Sequence, residues 1–171
     1  MKIFTHLSVD LDAVASVWGG RTFIPGTMDA VVEFRPANWD GAEMAEGDLA
    51  LDIPAGGKGW KGEQTADGTV DSCFCEILRK HASVEDQRAL ADVAMFIGAQ
   101  DAHGSAVKFF APGATREAQT VLAATGLNAV LRALQATYPR NDALVCERMA
   151  EIFSGMLQAG RARVRAAAEA N

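Results

Sequence analysis

Candidate metal ligands cluster directly after the first apolar stretch of the chain. The segment "THLSVDLDAVAS" carries His6, Asp10 and Asp12. Two further aspartates, Asp52 and Asp101, follow the apolar segments "LAL" and "VAMFIGAQ". An imidazole combined with carboxylate oxygens suits Mn²⁺, Mg²⁺ or Zn²⁺, and pairs of such ions activate water for phosphoryl transfer. These residues therefore predict a divalent-metal site, for which we favour Mn²⁺.

The first two predicted elements place candidate ligands at the end of a strand. The pattern of Lys2–His6 predicts a short buried strand, and the pattern of 11–18 predicts a helix. We expect Asp10 or Asp12 to cap this helix, and the Gly-Gly pair at 19–20 to end it. Ligands of an open parallel sheet bind beyond the carboxyl ends of its strands, which favours a site at this turn.

The remaining pattern predicts an α/β fold. It indicates strands at 30–35 and 49–54, a Gly- and Lys-rich loop at 55–69, and helices at 70–81, 84–99 and from 115 onward. Strands that alternate with helices predict a parallel sheet flanked by helices. We expect residues 1–110 to form an α/β domain, and residues 111–171 to form a helical C-terminal region packed on the same domain.

The composition restricts the classes of partner. The 171 residues are 49% hydrophobic and 22% charged, which predicts one globular domain. The net charge of −6 argues against a basic surface for duplex nucleic acid, but a metal can locally attract a small phosphorylated substrate. No apolar run approaches the roughly 20 residues of a membrane span. Three cysteines without scaffold-like spacing (Cys73, Cys75 and Cys146) favour a cytoplasmic protein.

Three segments together resemble the DHH phosphoesterases. "HLSVDLDAVAS" is similar to the first motif of that family, which runs H-x-x-x-D-x-D followed by small residues. "LALDIP" resembles the second motif, a strand that ends in a metal-bridging aspartate, and "FIGAQDAHG" resembles the fourth, in which an aspartate closes the site. The resemblance covers roughly residues 1–110 and implies a metal-dependent phosphoesterase with a DHH-like α/β domain.

The resemblance also implies how two metal ions would be held. One ion would take the equivalents of His6, Asp10 and Asp52. The other would take those of Asp12, Asp52 and Asp101, together with a histidine from the third motif, Asp-His-His. This chain lacks the third motif. The first site is therefore intact and the second has lost its only nitrogen ligand, which leaves open whether one ion is bound or two.

The place of the missing motif falls in the segment "WKGEQ". Set against the aromatic-D-H-H-Q variant of the family, Lys61 stands for the aspartate, Gly62 for the metal-binding histidine and Glu63 for the catalytic histidine. The resemblance thus implies Glu63 as the residue that handles protons, with His103 as the alternative. His103 is also a candidate replacement for the missing imidazole, because it flanks the aspartate of the fourth motif.

The Gly- and Lys-rich loop at 55–69 carries two lysines in or next to the "WKGEQ" segment. Its "GGKGWKG" lacks the spacing of a P-loop and is typical of a surface loop. A second hypothesis is that Lys58 or Lys61 replaces the charge of the lost second metal. An ammonium can hold a phosphate, but it is a poor Lewis acid and does not generate hydroxide as a metal does.

The C-terminal region departs from the family as well. Typical members carry a separate substrate-binding domain, often with a glycine-rich histidine motif, whereas residues 111–171 contain no histidine. An apolar helical stripe predicts packing against the sheet, with homodimerisation through the C-terminal helices as the alternative. The stripe consists of Val145, Met149, Ile152, Phe153, Met156 and Leu157.

Two functions are expected from these observations. The first is a metal-dependent phosphoesterase that acts on a small phosphorylated substrate or a short nucleotide. The second is a catalytically inactive relative that binds a metal, a nucleotide or a partner protein, or serves as a scaffold. The missing histidine favours the second, because losing an imidazole ligand lowers both metal affinity and the acidity of bound water.

Overall fold

The chain combines a small parallel sheet with a larger set of helices, in a computed structural model that describes residues 1–62 and 71–170. The elements are β1 (Lys2–His6), α1 (Leu11–Phe23), β2 (Val31–Arg35), β3 (Leu49–Ala50), α2 (Cys73–His81), α3 (Val84–Ala89), α4 (Ala91–His103), α5 (Ala106–Phe110), α6 (Arg116–Thr125), α7 (Leu127–Thr137) and α8 (Asp142–Glu169). The fold is therefore mixed α/β, as the sequence predicts.

The sheet has three parallel strands in the order β2-β1-β3. β1 and β2 run in register from Lys2 opposite Val31 to His6 opposite Arg35, which confirms both predicted strands. β1 is central, and its apolar Ile3 and Phe4 are almost completely buried. The carboxyl end of β1 therefore lies between the ends of its two neighbours, where a ligand site belongs.

The third strand is shorter than predicted. β3 ends at Ala50, although the Leu51 N–H still donates to the Phe4 carbonyl at 2.8 Å. Asp52 then adopts a φ of +53°, which directs the chain out of the strand. The prediction of a strand through residue 54 is thus wrong, because the backbone turns at the aspartate itself.

Helix α1 does not end at its glycine pair. Asp10 caps it as expected, but the helix continues through Gly19 and Gly20 to Phe23. A Cβ at position 20 would lie 2.7 Å from a methyl group of Leu51. The glycines therefore allow close packing on the sheet and do not act as a stop signal.

The predicted helix at 84–99 is two helices. α3 and α4 are separated at Leu90, which is fully buried and has φ −108° and ψ 6°. The break lets α3 pack against α8 while α4 packs against α1 and α2. Asp101 consequently lies in the last turn of α4, which extends beyond the predicted helix end at residue 99.

The C-terminal helices are confirmed, and they share the main hydrophobic core with the N-terminal part. The apolar stripe of α8 packs mainly on α1 and α3. The prediction that this stripe packs against the sheet is therefore wrong. Phe153 stacks on Trp18 of α1 with ring centroids 5.3 Å apart. None of the described helices combines enough length with enough hydrophobicity to cross a membrane.

Candidate metal centre

The turn between β1 and α1 brings His6 and Asp10 to the same side. Ser8 adopts a φ of +58°, a conformation that side-chain-bearing residues rarely take, and its N–H donates to Asp142 at 3.0 Å. Asp10 caps α1 by accepting the Ala13 N–H with Oδ1. Its other oxygen, Oδ2, lies 3.6 Å from Nε2 of His6. The helix cap therefore also fixes one carboxylate oxygen beside the imidazole.

The neighbouring strand supplies a second carboxylate. Asp52 directly follows Leu51, whose backbone continues the pairing of β3 by one residue. The N–H of Asp52 donates to the Trp60 carbonyl at 2.9 Å. Its side chain is buried, with 3% exposure, and Oδ2 lies 3.2 Å from Nε2 of His6. Parallel pairing of β1 with β3 thus places Asp52 against His6 across 46 positions of sequence.

His6, Asp10 and Asp52 form a group that can hold a metal ion. One ligand atom from each lies within 4.8 Å of the others. Ligand atoms about 3 Å apart are what bond lengths near 2.1 Å require, and the two His6 separations are close to that value. One imidazole and two carboxylates also match the donor preferences of Mn²⁺ and Zn²⁺. The structure therefore brings together the first predicted ligand set.

The electrostatics of this group centre on His6. Hydrogen bonds to Asp10 and Asp52 raise the pKa of His6 to about 10. Burial opposes ionisation of Asp10, but His6 and the Ala13 N–H outweigh it and lower the pKa of Asp10. Nδ1 of His6 lies 3.0 Å from the Leu7 carbonyl, which favours a proton on Nδ1 and directs Nε2 to the carboxylates. Without an ion, a proton on His6 offsets one of the two negative charges of Asp10 and Asp52.

Asp12 has a structural role that the sequence did not predict. Its Oδ2 accepts the Cys73 N–H at 2.9 Å, and its Oδ1 accepts the Phe74 N–H at 3.0 Å. Burial and the nearby Asp52 carboxylate raise the pKa of Asp12 to about 8. Asp12 therefore joins α1 to the N-terminus of α2, and it lies outside the three-residue group.

Lys61 and Asp101 extend the charged cluster. Nζ of Lys61 lies 2.9 Å from Oδ1 of Asp52, the oxygen that does not face His6. Burial, Asp52 and Asp10 together raise the pKa of Asp101. Lys61 thus contacts the aspartate that the family resemblance assigns to both ions.

The other predicted residues of this loop contribute differently. A Cβ at Gly62 would overlap the backbone of Ser72, so position 62 has no space for a ligand side chain. Glu63 lies outside the described residues. Nζ of Lys58 donates to the Gly41 carbonyl at 3.2 Å, away from the three-residue group.

His103 also lies apart from the three-residue group. Its ring stacks on Phe109 with centroids 4.4 Å apart, in the turn between α4 and α5. It is exposed, as is Phe109. This arrangement does not support the prediction that His103 replaces the missing imidazole.

A cavity of about 290 Å³ adjoins the cluster. Its lining includes the acidic Asp10, Asp12 and Asp101, together with Gln100 of α4 and polar residues of α7. Those of α7 are Asn128, Arg132 and Gln135. Sequence reasoning missed them, although their spacing around the buried Leu131 places them near one another on a helix.

The site therefore combines a possible cation-binding group with space for a small molecule. The three-residue group supplies negative charge, while Lys61 and Arg132 supply positive charge nearby. A scan against protein-family models, a search of curated proteins and a search of solved structures each gave no match. The functional assignment consequently depends on the geometry and chemistry of these residues.

Proposed function

We propose that this chain is a divergent DHH-like phosphoesterase that hydrolyses a phosphate ester with one divalent ion, for which we favour Mn²⁺. The observation that carries the proposal is the convergence of His6, Asp10 and Asp52 on one point beside a cavity. This is the ligand set that the family resemblance implies for the first ion. Because the three residues come from two strand ends far apart in sequence, helix capping alone does not explain the set.

Each residue of the site has a part in the proposed reaction. His6, Asp10 and Asp52 would hold the ion, which would polarise a phosphoryl oxygen and acidify water. Leu7 orients the imidazole through its carbonyl, and Lys61 offers an ammonium to a phosphoryl oxygen. Proton transfer would fall to Glu63, as the resemblance implies, since His103 stacks on Phe109 apart from the three-residue group.

The loop after Asp52 supports one ion in preference to two. Lys61 neutralises the Asp52 oxygen that a second ion would need, and Gly62 has no space for a histidine. Asp12 uses both carboxylate oxygens on backbone N–H groups of α2. Of the residues that the resemblance gives to the second ion, Asp12 is thus engaged with α2, Asp52 is paired with Lys61 and the histidine is absent.

The contact between Lys61 and Asp52 also favours a second candidate function, a protein that binds a metal or a phosphate without catalysis. An ammonium at Asp52 holds an anion without activating water. In that case the fold and the three-residue group would persist as a binding site. The two candidates differ in turnover and agree in metal binding.

Hydrolysis of bis(p-nitrophenyl) phosphate with Mn²⁺ tests the proposal. We expect release of p-nitrophenol that requires Mn²⁺ and is lost in Asp52→Asn. Asp40→Asn is the matched control, because Asp40 is an exposed carboxylate that accepts one backbone N–H in a distant turn. Mn²⁺ binding without turnover would support the second candidate. Absence of both binding and turnover would contradict the metal site itself.

A further inference from the structure

Two cavities meet beside the metal centre. The first, of about 290 Å³, borders Asp10 and Asp101, and the second, of about 480 Å³, extends between α4, α5 and α6. Gln100, Asn128 and Arg132 line both. Because they share these residues, the two cavities are neighbours and form an extended groove that reaches Asp10. Its combined size lies in the range of small-molecule sites.

Two glutamines of this groove have structural partners. Gln100 donates to the Gly104 carbonyl and accepts the Ala106 N–H, so it stabilises the turn between α4 and α5. Gln135 donates to the Val9 carbonyl at 2.7 Å and fixes the loop that precedes α1. Their side chains are therefore engaged in holding the walls of the groove.

Asn128 and Arg132 differ from these glutamines. Within residues 1–62 and 71–170, the side chains of Asn128 and Arg132 make no hydrogen bond or ion pair. They are four residues apart on α7, which puts them on the same face of the helix. An amide and a guanidinium without a partner among the described residues thus line the same cavity as Asp10.

The charges of the groove indicate an anionic ligand at this place. Arg132 is the one cation among the described residues that line either cavity, and it shares the first cavity with Asp10, Asp12 and Asp101. An arginine binds phosphate in a bidentate geometry. With a divalent ion held by His6, Asp10 and Asp52, a phosphoryl group between that ion and Arg132 would be neutralised from both sides.

The second cavity fits the remainder of an ester. Its walls combine apolar Phe96, Val107 and Ala124 with the hydroxyl-bearing Ser105 and Thr120. We propose that Asn128 and Arg132 bind the phosphoryl group of a phosphate ester whose bulky, partly apolar alcohol occupies the second cavity. This inference rests on the proposed function. It assigns to α7 the substrate recognition that a separate domain would otherwise provide.

Binding of 1-naphthyl phosphate and inorganic phosphate, each measured by calorimetry with and without Mn²⁺, tests the inference. We expect Arg132→Ala to weaken binding of both anions by about tenfold or more, since a charge-assisted hydrogen bond is lost. Arg132→Lys should restore only part of the affinity, because an ammonium lacks the planar fork. Arg163→Ala, an exposed arginine on α8, is the control and should bind as the wild type does.

The second cavity is tested by Ala124→Trp, which places a large ring in it. We expect this variant to weaken binding of 1-naphthyl phosphate while leaving inorganic phosphate unchanged. Equal affinities of Arg132→Ala and wild type, or no 1-naphthyl phosphate binding by the wild type, would overturn the inference. If Mn²⁺ still binds in that case, the proposed function survives. If Mn²⁺ does not bind but Arg132-dependent anion binding persists, the inference stands and the proposed function fails.

Discussion

Nζ of Lys61 lies 2.9 Å from Oδ1 of Asp52, and the other oxygen of that carboxylate faces His6. One aspartate thus carries a cationic partner on each oxygen when no metal is present, because the His6 pKa is raised to about 10. Lys61 occupies the sequence position where the family resemblance expects an aspartate. A change from acid to base at this position alters the charge of the site at its most buried carboxylate.

Replacement of Lys61 by alanine should affect metal and phosphate in opposite directions. Loss of the ammonium leaves Asp52 more negative, so Mn²⁺ affinity should rise by roughly twofold to fivefold, as expected for a half-exposed ion pair. Inorganic phosphate should bind more weakly, because an anion-binding charge is lost. Calorimetric titration with each ligand measures both effects.

Lys58→Ala is the matched control for this prediction. Lys58 lies in the same loop, but its Nζ donates to the Gly41 carbonyl. Its replacement should leave both affinities unchanged. Weaker Mn²⁺ binding by the Lys61 variant, or equal effects of both variants, would show that Lys61 does not compete for Asp52.

Restoring a histidine at position 62 should not rebuild a second metal site. A Cβ at Gly62 overlaps the Ser72 backbone, so even Gly62→Ala should lower the free energy of unfolding by roughly 1–3 kcal/mol. Gly155→Ala, in an open position within α8, should instead raise it by about 0.5–1 kcal/mol. Urea unfolding measures both. A Gly62→His variant of unchanged stability that binds two Mn²⁺ ions would refute this account of the loop.

Binding of Mn²⁺ should release a proton from His6. The pKa of His6 is raised to about 10 by Asp10 and Asp52, whereas a metal binds the neutral imidazole. Mn²⁺ affinity should therefore increase with pH, by up to about tenfold per unit below pH 10. Calorimetry at pH 7 in buffers of different ionisation enthalpy should show about one proton released, and none in His6→Gln. No buffer dependence in the wild type would be inconsistent with binding at His6.

The raised pKa of His6 also makes the metal-free protein less stable at alkaline pH. The unfolded chain loses the His6 proton near pH 6.5, whereas the folded protein keeps it to about pH 10. Between these values the unfolded state binds fewer protons, so the free energy of unfolding falls as pH rises. Urea unfolding in EDTA at several pH values should show this fall in the wild type and a flatter profile in His6→Gln. Parallel profiles would argue against the His6 contacts.

The sequence predicted His6, Asp10 and Asp52 as candidate ligands because they follow predicted strands, and the family resemblance implied that the three share one ion. β1 matches its expected bounds, and Asp10 caps α1 as one of two alternatives. The convergence with Asp52 required only that the two strands be parallel neighbours. Local pattern and simple sheet topology account for the positions of these residues, whereas their grouping around one ion came from the resemblance.

The features of the fold and the site that the sequence did not predict depend on tertiary packing. The Gly19-Gly20 pair is helical because α1 must approach Leu51 closely, which no local rule indicates. Asp12 looked like a ligand, but its oxygens meet the N–H groups of a helix that begins at Cys73. Arg132 became a candidate only once α7 was seen beside the metal ligands.

Anomalous X-ray diffraction at the manganese edge, from crystals grown with MnCl₂, tests the central claim most directly. We predict one strong peak within about 2.3 Å of Nε2 of His6 and of a carboxylate oxygen from both Asp10 and Asp52. The peak should vanish in Asp10→Asn, in which the asparagine can still cap α1. A wild-type map without a peak among these three residues, or with manganese bound only elsewhere, would contradict the account.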